Sequence, residues 1–360
     1  MEDTHPLLIA RAYRVRTAPV LEALRAFQDV VQTPQLGMVM MAPPRFGKTT
    51  LLVEIEERIG ASKSGVVLRS TMTRSTFIAN WENLFYRRLR GEEEGEVAAF
   101  PNLSPRKALI RHIQNECDKV GQKLVLFLLD EAQNLTINQL DALKSLSESL
   151  LNLGLKPFFL LVGQLELRYL VVNTKDSLRQ DLVQRFMLRS HTFHGLRSEE
   201  DLRTFLKHTD ETVWPAGSNC TYTQHFAPAA WAKGWRMAGE AAALWNAFKH
   251  HARTIGMSAE RLELGVHFAA QAQLDLLKRV GAPLASADAI AKGEAPPPVV
   301  IGPGGEIEGR SALLLAVVEA CGLHESVRME ADVAKGTDAE VLKQAKRWAR
   351  GASAKRAARA

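Results

Sequence analysis

Two apolar runs, each ending in a different kind of polar residue, restrict this chain more than anything else in it. The first, "MVMMAPPRFGKTTLL" (residues 38–52), turns on two prolines and then presents Gly47-Lys48-Thr49. The second, "KLVLFLLDEAQNL" (residues 123–135), ends in Asp130-Glu131. Continuous rather than alternating hydrophobicity is the pattern of a parallel strand covered on both faces. A strand, a GKT loop and a helix in that order gather backbone N–H groups and a helix N-terminus around phosphate oxygens. The lysine then neutralises the outer phosphates. Lys48 and Thr49 are thus expected to hold the phosphates and Mg2+. Asp130 is expected to hold the shell of the metal, and Glu131 to polarise the attacking water. ATP and Mg2+ are the expected ligands.

The loop departs from the usual pattern. Ala42 stands where such loops begin with glycine, and Arg45 and Phe46 crowd the turn. Pro43 and Pro44 carry no N–H, but Phe46, Gly47, Lys48, Thr49 and Thr50 keep theirs. Ala42 and Arg45 matter only if those positions need positive φ, at a cost of about 1 kcal/mol for a non-glycine residue.

The rest of the chain supplies the frame. Strands are expected at residues 36–42, 65–72, 157–163 and 188–195, besides the run before Asp130. Helices are expected at 18–31, 49–60, 77–90, 105–120, 137–153 and 166–172. Strands alternating with helices argue for an α/β, doubly wound parallel sheet over residues 36–207, after a lead-in of residues 1–35. Beyond it the chain reads as an alanine-rich helical lid, residues 208–280, with helices at 227–255 and 259–280. A Pro/Gly-punctuated linker and a last helical patch at 311–320 fill residues 281–342. Residues 343–360, "KQAKRWARGASAKRAARA", form a basic tail with seven Lys/Arg and no acid, in a chain whose net charge is only +6.

With 46% hydrophobic and 24% charged residues the chain has an ordinary globular composition. Its apolar runs are too short to cross a bilayer. Acids precede the first short apolar patch, unlike a secretory leader. Cys117, Cys220 and Cys321 stand far apart, without metal-site or disulfide-framework spacing. Cytoplasmic location and no membrane partner are expected. His191, His194, His250 and His251 lack acids or cysteines at ligand spacing, and Trp81, Trp231, Trp235 and Trp245 read as core.

At these residues a resemblance emerges. "APPRFGKTT" is similar to the GPPGTGKT loop of AAA+ ATPases, and "DEAQNL" resembles their Walker B element. The DEAQ-type ending, followed by a helix and the strand "FFLLVG", resembles the DNA-transposition regulators MuB, TnsC and TniB, with the secretion ATPase ExeA as a relative. The resemblance covers residues 36–207, and 231–253 loosely. It implies that Gln164 is sensor 1, reading the γ-phosphate. Within "LRQDLVQRFMLR" it implies an arginine finger acting on a neighbouring subunit, Arg185 first, with Arg179 and Arg189 as alternatives. Arg236 resembles sensor 2. The implied working form is a homo-oligomer, ring or filament, on double-stranded DNA, with a transposase and a targeting factor as partners. Arg74, Arg106 and Lys107, in the loops "STMTRSTF" and "PNLSPRKAL", suit phosphate contacts that position without reading sequence. The rival readings are a protein-remodelling or ExeA-like ATPase, and a nucleotide-gated scaffold with little turnover.

Overall fold

A computed structural model describes residues 5–9, 12–73, 80–92, 102–282 and 299–323. The chain divides into two compact units, one of Met1–His208 with Glu263–His267, the other of Thr209–Leu262 with Phe268–Ala360.

The first unit is built on a parallel sheet of five strands: β1 (Gly37–Met41), β2 (Val66–Thr71), β3 (Leu124–Asp130), β4 (Lys156–Gly163) and β5 (Ser190–Thr192), in the order β2-β3-β4-β1-β5. Helix α1 (Ala18–Val31) precedes β1, and between the strands run α2 (Lys48–Ser62), α3 (Trp81–Leu89), α4 (Pro105–Val120), α5 (Ile137–Asn152), α6 (Leu167–Asp176) and the short α7 (Gln180–Leu182). The apolar runs are continuous because both faces of the sheet are covered. Val39, Phe127, Leu129, Phe159 and Leu161 point to one face, against Phe85, Leu109, Ile113 and Leu143 of α3, α4 and α5. Met38, Met40, Leu126, Leu128, Phe158 and Leu160 point to the other, against Leu24 and Phe27 of α1 and Leu51 and Ile55 of α2. Phe127 stacks on Phe159 at 4.6 Å between centroids, and Phe186 meets Phe159 edge-on.

Local signals set several boundaries. Pro105 opens α4 and Gly121 closes it at φ +71°. Thr136 and Gln139 form a capping box at the start of α5. Not anticipated was α8 (Glu199–Glu211). Its cue is reciprocal bonding between Ser198 and Asp201 at its start, N–H to side-chain oxygen in both directions, followed by buried Leu202, Phe205 and Leu206.

In the second unit the expected helix over 227–255 is broken. α9 (Tyr222–Phe226) and α10 (Pro228–Ala232) are followed by Gly234 at φ +93°, a 3-10 turn at Met237–Glu240, and only then α11 (Ala241–Thr254). The Asp210 carboxylate accepts from the N–H groups of Met237 and Ala238 and from the Thr223 hydroxyl, so the turn is capped from outside. The helix expected from residue 259 starts later, as α12 (Val266–Gly281). α13 (Arg310–Ala320) agrees with the patch read at 311–320. It is tied by Arg310 Nε to the buried Glu240 carboxylate at 2.7 Å, which also accepts from Trp235 Nε1 at 3.0 Å. Among the described residues no helix is long and apolar enough to cross a membrane.

Candidate functional site

The strand order puts the ends of β1, β3 and β4 side by side on the C-terminal edge of the sheet, the edge where open α/β sheets bind ligands. Met41 pairs with Gly163, and the N–H of Ala42 donates to the Gly163 carbonyl at 3.1 Å. The start of the glycine-poor loop is therefore pinned to the end of β4. Gly47 sits at φ +97° as it opens α2, a conformation natural to glycine. Arg45 sits at φ +67°, so the departure from glycine there carries the left-handed cost of about 1 kcal/mol. Ala42 has no positive φ and bears no such cost. Phe46 is buried in the same cluster as Phe193, Leu51 and Met40, anchoring the loop in the core.

The Lys48 ammonium donates to the carbonyls of Ala42 (3.0 Å) and Pro43 (2.9 Å), folded back along its own loop. Burial pushes its pKa down, and the carboxylates of Glu131, Asp130 and Glu166 push the other way. Thr49 is exposed in the first turn of α2. Asp130 is buried at the end of β3, and its carboxylate accepts one hydrogen bond from the described residues, from the Glu131 N–H at 2.9 Å. Burial raises its pKa, against the pull of that N–H. The buried Asp130 carboxylate, with a single protein donor, and the exposed Thr49 hydroxyl, next in the chain to Lys48, are hard oxygen donors of the kind that Mg2+ takes. The residues present fit Mg2+ and a nucleotide triphosphate.

Glu131 leaves the strand at φ +53°. Its Oε2 accepts from the side-chain amide of Gln133 and, at 3.4 Å, from that of Gln164. Thus Lys48, Asp130, Glu131 and Gln164, expected together, do lie on one edge. Two further groups join them: Gln133, and Glu166, which immediately precedes α6 and lies within electrostatic reach of Lys48. Gln133 was legible only as part of the DEAQ string, and Glu166 carried no signal beyond standing two residues after Gln164.

The remaining expected residues are placed as follows. Arg185, in a π-helical turn (Val183–Met187), donates to the Ser147 hydroxyl at 2.9 Å and pairs with Glu148 at 3.1 Å, both on α5 of its own chain. Arg179 is paired with Asp141 and Asp181. Arg189 is exposed and makes no side-chain hydrogen bond or ion pair with the described residues. Arg236, in the second unit, lies 3.4 Å over the Trp231 ring and donates to the Trp231 and Trp235 carbonyls. Arg106 donates to the Ser145 carbonyl and to the Ser145 and Ser149 hydroxyls, which commits it to α5, whereas Lys107 is exposed. Arg74 and the basic tail lie outside the described residues.

Residues 18–171 match the family model described as the AAA domain. No curated protein matches the chain. Among solved structures the chain is similar to the ORC2 protein of Aeropyrum pernix in ADPNP–ADP complexes, at 14% identity over 93% of this chain and 98% of that one, TM-score 0.37. It is similar to a Walker-type ATPase of Pyrococcus abyssi, at 13% identity over 77% and 71%, TM-score 0.40. It is also similar to Cdc6p of Pyrobaculum aerophilum, at 13% identity over 86% and 83%, TM-score 0.36. The matched residues, 18–171, run from α1 through β1, β2, β3 and β4 into α6.

Proposed function

We propose that the chain is a Mg2+-dependent AAA+ ATPase that assembles on duplex DNA in its ATP-bound form and regulates DNA transposition by recruiting or activating a transposase. Hydrolysis is supported by one observation above the others: Glu131 stands next to the metal-type carboxylate Asp130 while its own carboxylate is bonded to the amide of Gln164. In the reaction, water oxygen bonds to the γ-phosphorus, the bond to the β–γ bridging oxygen breaks, and ADP departs with the electron pair. Glu131 orients that water and receives its proton. Lys48 meets the outer phosphates, and Thr49 and Asp130 would hold Mg2+, whose charge neutralises the phosphate oxygens. Gln164 would turn its amide from Glu131 to the γ-phosphate. An arginine from a neighbouring subunit would complete the site.

DNA and transposition rest on the resemblance of "APPRFGKTT" and "DEAQNL" to the MuB, TnsC and TniB regulators, on the basic tail and on exposed Lys107. ATP hydrolysis measured with and without duplex DNA of unrelated sequences tests the reading. Stimulation by all of them is expected. Lys48→Ala should lose nucleotide binding, while Glu131→Gln should bind ATP and DNA without turnover. Turnover indifferent to DNA would replace this reading with a protein-remodelling ATPase, and binding without turnover with a nucleotide-gated scaffold.

A further inference from the structure

Next to Glu131, both ends of the Gln133 side chain are committed. Its Oε1 accepts the backbone N–H of Gln164 at 3.1 Å, and its Nε2 donates to Glu131 Oε2. Only this orientation of the amide satisfies both contacts, since a carboxylate can only accept and an N–H only donate. The end of β4 is thereby connected to the carboxylate of Glu131 through a single side chain. Gly163 is part of the same device. A Cβ there would stand 2.5 Å from Gln133 Oε1, so the amide occupies the space that any other residue would fill.

The second bond to Glu131, from the Gln164 side chain, is long at 3.4 Å. It comes from a group that the proposed reaction asks to move. Gln133 hangs instead on a backbone N–H, which stays in place when side chains turn. Glu131 itself has left the strand in a left-handed conformation and has no neighbouring ladder to fix its direction.

We propose that Gln133 is the positioning residue of the site: it holds the Glu131 carboxylate at a fixed place relative to the end of β4, and keeps holding it when Gln164 turns away. This rests on the ATPase reading above. In this role Gln133 acts only through Glu131.

The test is ATP turnover by Gln133→Leu, which keeps most of the side-chain volume and removes both polar ends, with binding followed by a fluorescent ATP analogue. We expect kcat lower by about 10- to 100-fold, the scale on which outer partners of reacting groups act, with the analogue's Kd unchanged. Gly163→Ala should give the same split, since its methyl displaces the amide from both contacts. Combining Gln133→Leu with Glu131→Gln should cost no more than Glu131→Gln alone, because the two act through one group. Wild-type kcat in both single variants overturns the proposal, as does a loss found wholly in Kd. Turnover that Glu131→Gln leaves unchanged removes Glu131 from the reaction and overturns the proposal with it, whereas no ATP turnover in the wild type overturns the ATPase reading itself, a separate outcome seen in the control.

Discussion

Arg45 and Phe46 occupy a phosphate loop where small residues are usual, and they act in opposite directions. Arg45 adds strain through its positive φ, whereas Phe46 places a ring among Phe193, Leu51 and Met40. The second effect is the larger. Removing a buried phenylalanine ring costs about 3–5 kcal/mol, several times the strain at one left-handed residue. Phe46→Ala should therefore lower the urea midpoint and, because the ring anchors the loop, weaken nucleotide binding as well. Unchanged affinity in a destabilised Phe46→Ala protein would show that the loop holds its shape without the ring. The sequence shows Phe46 as an oddity at the site. Its purpose becomes visible only when Phe193, far along the chain, is brought beside it.

The segment between α6 and β5, through the π-helical turn, carries three arginines in three different situations. A finger that acts on a neighbour must be able to leave its own subunit. Arg185 would have to give up Ser147 and Glu148 to do so, while exposed Arg189 would give up nothing described. Mixing either arginine-to-alanine variant with Lys48→Ala subunits tests both. Hydrolysis restored in the mixture, from components inactive alone, identifies the finger, and a variant with normal turnover alone is excluded. Arg179 has a structural part: its hydrogen bonds hold the Asp141 and Asp181 carboxyls below the usual carboxylate range. A carboxylate pKa lowered by folding contributes stability above its unfolded value, about 3.9 for Asp, and that contribution is lost as pH falls through the folded value. Wild type and Arg179→Ala should thus differ by a small constant amount near neutrality and converge in acid. A difference that widens in acid would refute this. At this scale the sequence was most readable where cues are local. α1 and α4 carry proline in their first turn, and β1, β3 and β4 carry unbroken apolar runs. It was least readable where a distant group decides, as when Asp210 caps the turn that splits the alanine-rich stretch after residue 227. Arg106 is the same case within the proposed DNA set, since its commitment to Ser145 and Ser149 depends on the packing of α4 and α5.

For the molecule as a whole the DNA reading separates two sources of positive charge. Lys107→Ala should reduce the slope of log affinity against log salt by about 0.9, the effect of one lost phosphate contact. Arg106→Ala should act mainly on stability. Truncation after Leu342 removes the basic tail, and should lower affinity at low salt while leaving the dependence on ATP in place. Loss of all ATP-dependent binding on truncation would move the DNA site into the tail. The order of the strands has a further consequence, for how the protein comes into being. β1 bonds only to β4 and β5, which begin at Lys156 and Ser190. Closing chain segments of that length is entropically slow, and sheets dominated by such pairings fold slowly. In stopped-flow refolding, binding of a fluorescent ATP analogue should return only with the last phase, after much of the helical signal. On the ribosome, the phosphate loop would emerge early and wait unfinished until the strands that flank it had been made.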